Sequence, residues 1–110
     1  MPITNVIQAR AGRMQFQGLF ETVVEIEALY DPPSINSNGF DQETIVAPAV
    51  RFGDFVLISF EADLLQLDLH GHVDGADSIS VHLHNPTAGA VNLPEAHIHI
   101  VVLRPIHLHP

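Results

Sequence analysis

The chain has 110 residues, no cysteine and a formal net charge of −9, from 13 acidic residues against four arginines. The absence of cysteine excludes disulfides, thiolate metal ligands and a cysteine nucleophile. The acidic excess disfavours nucleic acids and anionic membranes as partners, because neutralising phosphates requires clusters of basic side chains. A hydrophobic fraction of 46% excludes a disordered chain, and the length predicts a single folded domain.

The first 17 residues are polar and predict an extended N-terminal arm, with Arg10 and Arg13 as a basic pair in an acidic protein. An arm of this kind becomes ordered on a partner. The start lacks the apolar stretch of a secretory signal, and no apolar run approaches the ~20 residues of a membrane span. We therefore divide the chain into an arm at 1–17, a domain at 18–105 and a C-terminal tail at 106–110.

The strands of the domain are predicted from alternating apolar residues. Residues 19–30 alternate, with Val24 and Ile26 on one face and Glu25 and Glu27 on the other. A loop rich in proline and asparagine follows, and then a short strand at 43–47, which Pro48 ends.

The next segment begins with a predicted turn, "RFGD" at 51–54. Residues 55–60 form an almost continuous apolar run, which predicts a strand buried on both faces. The last strand is "HIHIVVLRP", with Ile98, Ile100 and Val102 on one side.

Between these strands, "DLLQLDLHGHVDGADSISVHLHN" predicts a β-hairpin. A three-residue loop at 75–77 would pair Asp74 with Ser78 and place His70 directly opposite His82. Six or seven short strands with turns between them predict an all-β fold, an antiparallel β-sandwich, of which the jelly roll is one form.

All eight histidines lie in His-x-His pairs, a spacing that many metal sites use; the pairs are His70/His72, His82/His84, His97/His99 and His107/His109. Successive side chains of a strand point to opposite faces, so both members of a pair share a face. The last pair falls on the predicted tail.

The hairpin histidines are the candidate metal ligands: His70, His72, His82 and His84. Three or four neutral imidazoles suit zinc or nickel, and the role would be structural. Asp68 is the carboxylate predicted on the same face. The alternative interpretation is that these histidines form the polar outer face of an amphipathic hairpin, exposed or packed against a neighbouring subunit, with no cofactor.

Enzyme signatures are absent from the sequence. The His-x-His pattern is similar to that of cupins, but Asn85-Pro86-Thr87-Ala88 follows it and the next glutamate is Glu95, so the cupin signature is not met. No nucleophile elbow or phosphate-binding loop is present. Paired carboxylates such as Glu61/Asp63 flank turns, where turn formation explains them. We therefore expect a protein that is not an enzyme.

Two blocks together, "VRFGDFVLIS" and "LDLHGHVDGADSISVHLHNPTAGAVNL" followed by "HIHIVVLRP", carry a resemblance. Their order and spacing resemble small structural proteins of tailed bacteriophages over about residues 45–105. The matching positions are Val73, Ala76-Asp77, Ile79, Val81, Leu83 and Asn85-Pro86-Thr87. At outward positions where those proteins hold mixed residues, this chain has histidines.

The resemblance implies a capsid decoration or cement protein, a compact β-sandwich that clamps capsomers as a homotrimer. The implied partner is the major capsid protein and the implied location is the capsid surface of the virion, after assembly in the host cytoplasm. An adaptor of the tail or head fibre is the alternative within the same class. A second hypothesis, from the histidines alone, is a metal-binding or zinc-stabilised sandwich.

Overall fold

The computed structural model describes residues 3–9 and 19–106, with the side chains of 3–4 and 19–106. Seven β-strands and no helix occur in these ranges: β1 (Ile3–Ala9), β2 (Phe20–Tyr30), β3 (Phe40–Val46), β4 (Phe55–Phe60), β5 (Asp68–Gly75), β6 (Ser78–His84) and β7 (Ala96–Pro105). Nowhere in the described ranges is there a helix long and apolar enough to cross a membrane.

The strands form two antiparallel sheets, which confirms the predicted all-β sandwich. One sheet has four strands in the order β1-β2-β7-β4, and the other has three in the order β3-β6-β5. β2 and β4 both pair with β7, and β3 pairs with β6, the second strand of the β5–β6 hairpin. These pairings join strands that are distant in sequence.

The core lies between the two sheets and follows the predicted alternation. Val24 and Ile26 of β2 are 3% exposed, and their partners in β7, Val102 and Ile100, are at most 1% exposed. Ile79 and Leu83 of β6 are completely buried from the other side. Burying an Ile or Leu side chain contributes about 1.5–3 kcal/mol, so this alternation holds the sheets together.

β4 differs from its prediction. It was expected to be buried on both faces, but Phe55 and Leu57 are 51% and 56% exposed. The apolar run indicated a central strand, whereas β4 is an edge strand of the four-stranded sheet. Only its alternate residues, such as Ile58, pack towards the core.

The β5–β6 hairpin has the predicted register with a different turn. His70 pairs with His82 as expected, but Gly75 rather than Asp74 pairs with Ser78. The turn therefore has two residues, and a bulge between Val73 and Gly75 absorbs the extra one. The bulge restores the register that a three-residue loop would have given.

The region predicted as an N-terminal arm contributes a sheet strand. β1 pairs antiparallel with β2, with Ile3 opposite Tyr30 and Ala9 opposite Glu25. Ile3 is 4% exposed and belongs to the core. Within the predicted tail only residue 106 is described.

Candidate functional site

The candidate site is the histidine face, which we define as His70 and His72 of β5 with His82 and His84 of β6. All four side chains lie on the outer side of the three-stranded sheet. Their neighbours in sequence explain this placement: Leu83 and Val81 of β6 are completely buried on the inner side. The structure thus brings together the four residues that the sequence predicted.

Glycine between two histidines allows the sheets to approach closely at this point. A Cβ atom added to Gly71 would lie 2.5 Å from Cδ1 of Ile58, 3.1 Å from Cγ1 of Val56 and 3.1 Å from the carbonyl oxygen of Ser80. Val56 and Ile58 belong to β4 of the other sheet. The spacing His-Gly-His therefore gives two outward imidazoles and an inward gap that β4 fills.

The imidazole rings of the histidine face form a stack centred on His82. The ring centroid of His82 lies 5.1 Å from that of His70, with 6° between the planes, and 5.3 Å from that of His72, with 30° between the planes. Phe40 of β3 stacks on His82 from the other side at 6.4 Å. Four rings from three strands therefore lie side by side.

His82 is the most enclosed member of this stack. Its Nε2 atom is buried and has no hydrogen-bond partner among the described residues. Burial lowers the pKa of His82, and the neighbouring His70 and His72 lower it further. The ring is thus held neutral at pH 7, with one nitrogen lacking the partner that a buried polar atom normally has.

The remaining polar groups of this face pair with each other. Asp68 lies directly opposite His84, with Oδ2 at 3.9 Å from Nδ1. Gln42 of β3 donates a hydrogen bond of 3.0 Å to Ser80, which is completely buried. In these rotamers no three ligating atoms of His, Asp or Glu converge on one point in the described part of the chain.

The third histidine pair occupies the opposite side of the molecule. His97 and His99 of β7 lie on the outer side of the four-stranded sheet, where Glu61 contacts both, by a short hydrogen bond to His99 and at 4.0 Å to His97. Glu27 approaches His97 at 3.7 Å. The hydrogen bond from His99 and the charges of both histidines lower the pKa of Glu61. The fourth pair, His107 and His109, lies outside the described residues.

Sequence reasoning missed a buried polar cluster between the sheets. Tyr30 of β2 donates a hydrogen bond of 2.5 Å to Asp41 of β3. Glu43 points inward from the same strand, and burial followed by the nearby Asp41 raises its pKa. The signal was available: residues 41 and 43 have the parity of Ile45, which is 5% exposed.

The "RFGD" segment forms a tight turn, as predicted, and a groove beside it. Asp54 donates its backbone N–H to Arg51 O, and Gly53 adopts φ 98°. The guanidinium of Arg104 donates two hydrogen bonds of 2.8 Å to the Asp54 carboxylate. Phe52 at the tip is 72% exposed.

The Asn-Pro-Thr motif has a structural role. Asn85 is completely buried, and its Nδ2 donates hydrogen bonds of 2.8 Å to the carbonyls of Ile35 and Gly89. Its Oδ1 accepts from the backbone N–H and the hydroxyl of Thr87. Asn85 therefore ties the loop after β6 to the loop after β2.

Asp77, in the turn between β5 and β6, anchors this turn to the loop after β3. Its carboxylate accepts a hydrogen bond of 2.8 Å from the backbone N–H of Ala49. Its own N–H donates to Val50 O, and its carbonyl accepts from Ala47. Asp77 and Asn85 thus both secure loops of the fold.

Comparison with known proteins gives no match: no family model, no curated protein and no solved structure is significantly similar to this chain.

Proposed function

We propose that this protein acts by contact, as a decoration or cement subunit that binds the major capsid protein on the surface of a bacteriophage head. The resemblance of residues 45–105 supports the class of protein. The observation that carries the proposal is an exposed apolar surface on the four-stranded sheet, which a protein partner would cover.

We call this surface the β4 patch and define it as Leu19, Phe20, Phe55, Leu57 and Val101. Leu19, Phe55 and Leu57 are 54%, 51% and 56% exposed. The residues are neighbours, because Leu57 pairs with Val101 in β7 and the ring of Phe20 packs edge-on against Phe55 at 5.7 Å. Contiguous apolar side chains on a sheet surface are typical of protein–protein contacts.

The turn at residues 51–54 extends this surface. Phe52 lines a shallow groove together with Pro105, and Pro105 pairs with Phe20 of the β4 patch. Asp54 and Arg104 fix the base of the turn, so the exposed Phe52 ring projects from a rigid support. A turn whose backbone is already ordered loses less entropy on binding than a flexible loop does.

Repetition makes a modest contact effective on a capsid. Burying apolar surface contributes about 25 cal/mol per Å², and a specific interface covers about 1,000 Å² or more. Trimerisation multiplies such contacts, because each subunit of a bound trimer holds the others at high effective concentration. Three linked copies would therefore bind a shell more tightly than one.

The test uses capsids of the phage that encodes the chain, prepared without this protein. Added protein should co-sediment with these capsids and raise their heat resistance. Leu57→Gln should weaken co-sedimentation at least tenfold. Ser59→Gln is the matched control, because Ser59 is the next outward position of the same strand and lies outside the β4 patch.

Two outcomes would contradict the proposal. One is equal heat resistance of bare and decorated capsids. The other is equal binding by the Leu57→Gln and Ser59→Gln variants, which would place the contact elsewhere. Light scattering of the free protein measures the expected trimer.

A further inference from the structure

We propose that His70, His72 and His82 form a zinc site on the outer side of the three-stranded sheet. The site takes a single Zn²⁺ ion through three imidazole nitrogens, with the fourth tetrahedral position left for water. It is independent of the β4 patch, which lies on the other sheet, and therefore of the proposed capsid role.

The backbone provides the arrangement that three ligands need. His70 and His72 are two residues apart on one face of β5, which separates their Cα atoms by about 6.6 Å. His82 lies directly opposite His70 on β6, where Cβ atoms are about 4.5–5.5 Å apart. The three side chains therefore leave the sheet at the corners of a small triangle.

The spacing of the rings agrees with ligation of one ion. Zn–N bonds of about 2.0–2.1 Å hold the centroids of two tetrahedrally arranged imidazoles about 5 Å apart. The centroids of His70 and His72 lie 5.1 Å and 5.3 Å from that of His82. Binding thus requires the rings to turn, while their centres stay near their present separation.

The required rotation is about side-chain bonds alone. The rings now lie nearly parallel to that of His82, so their nitrogens do not share a point. His70 and His72 are exposed, so their rings can turn about Cβ–Cγ, which reorients the nitrogens and leaves the ring centres nearly in place. His82 is held in place by Phe40 stacked on its far side.

The buried Nε2 atom of His82 is available to bind a metal ion. Its Nε2 has no partner among the described residues, although buried polar atoms are nearly always satisfied. A zinc ion would satisfy this atom and replace a contact between three unpaired imidazoles.

The pair on the other sheet lacks these features and serves as the matched control. His97 and His99 have the same spacing, but Glu61 hydrogen-bonds His99 and lies close to His97. Across the strand, His97 faces Leu29 and His99 faces Glu27, so no third imidazole stands opposite either one.

The experiment measures Zn²⁺ binding by calorimetry and elemental analysis on protein purified without an affinity tag. We expect one zinc per chain, a higher melting temperature with Zn²⁺, and no such shift with Mg²⁺, which prefers oxygen ligands. Replacing a residue that only orients a metal ligand lowers metal affinity by about 10–100-fold. His70→Gln and His82→Gln, which remove a ligand, should each weaken binding more than about 100-fold.

Two control variants locate the ion. The double variants H97Q/H99Q and H107Q/H109Q should bind zinc as the parent chain does. Because His70 is exposed, His70→Gln reports on binding even if His82→Gln lowers stability. The proposal is wrong if the parent chain binds no stoichiometric zinc, or if a control variant loses the ion while His70→Gln keeps it.

Discussion

Tyr30 and Asp41 join the two sheets through a hydrogen bond of 2.5 Å from the phenol hydroxyl to the carboxylate. Tyr30 is 1% exposed, and its ring also packs edge-on against Phe60 at 6.0 Å. Burial, followed by the hydrogen bond to Asp41, raises the pKa of Tyr30 far above its ordinary value. The phenol therefore stays protonated, and remains a hydrogen-bond donor, above the pH at which a free tyrosine ionises.

Removing this hydroxyl should destabilise the protein. Tyr30→Phe leaves the carboxylate of Asp41 without its donor, and a hydrogen bond to a charged group is worth about 1.5–3 kcal/mol. Urea denaturation measures the loss. In the Tyr30→Phe background, Asp41→Asn should cost less than it does alone; strictly additive effects would show that the two groups do not interact.

Glu43, on the same strand as Asp41, should make stability fall as pH rises. Its raised pKa means that the folded state binds the proton more tightly than the unfolded state does. The folded protein therefore loses stability as pH rises from the ordinary glutamate range through the raised pKa. Glu43→Gln should raise the melting temperature at pH 7 and leave it nearly unchanged at pH 4.

The control for this variant is Glu25→Gln, which removes the same charge from the exposed outer face of β2. An equal gain for both variants would attribute the effect to the net charge of −9 rather than to the buried pair.

Asp54 and Arg104 should show the opposite pH dependence. Burial acts to raise the pKa of Asp54, but the hydrogen bonds from Arg104 and the backbone of Arg51 outweigh it and lower the pKa. Stability from this pair is present above the ordinary aspartate range and is lost as pH falls through the lowered pKa. Asp54→Asn should cost about 1.5–3 kcal/mol at pH 7, and less in acid.

Arg51 provides the matched control for this pair. Its side chain is exposed, and its hydrogen bonds with Asp54 come from backbone atoms. Arg51→Ala should change the free energy of unfolding by no more than about 0.5 kcal/mol. A loss as large as that of Asp54→Asn would mean that general charge, and not the paired geometry, stabilises the turn.

The two glycines of β5 should respond differently to a methyl group. Gly71→Ala places a Cβ against Ile58, Val56 and the Ser80 carbonyl, and overpacking of this kind costs about 1–3 kcal/mol. A Cβ at Gly75 meets nothing within 4 Å, so Gly75→Ala should be nearly neutral. Thermal or urea unfolding of both variants tests the contrast, which equal effects would contradict.

Asn85 should tolerate no acidic replacement. Asn85→Asp converts the donor that faces the carbonyls of Ile35 and Gly89 into an acceptor, and a buried donor lost in this way costs about 1–3 kcal/mol or more. Thr87→Ser keeps the hydroxyl and should be mild. Similar losses for both variants in denaturant unfolding would argue against the role of the amide.

The sequence predicts the strands and their facing better than their place in the sheets. Alternation placed Ile26 and Val81 inward, and the hairpin pattern placed His70 opposite His82, because these depend on neighbouring residues alone. The apolar run of β4 gave a wrong prediction of burial on both faces. Whether a strand is buried in this way depends on which strands flank it, and the order of strands is a property of the whole sheet.

The candidate site could be predicted in part for the same reason. The four hairpin histidines share a face by local geometry, whereas the stacking of Phe40 on His82 requires the pairing of β3 with β6. Alternation indicates that Asp41 faces inward, but its hydrogen bond with Tyr30 crosses from one sheet to the other. No local pattern indicates that pairing. Contacts between the two sheets cannot be predicted from local sequence patterns.

The position of β7 has a consequence for how the chain folds. It is the last strand in chain order among those described, yet it lies between β2 and β4. Neither strand has its ladder partner on that side until residues 96–105 have left the ribosome. Pairings this distant in sequence form slowly, so the four-stranded sheet is completed only after β7 has been synthesised, and until then the unpaired strands are exposed to aggregation.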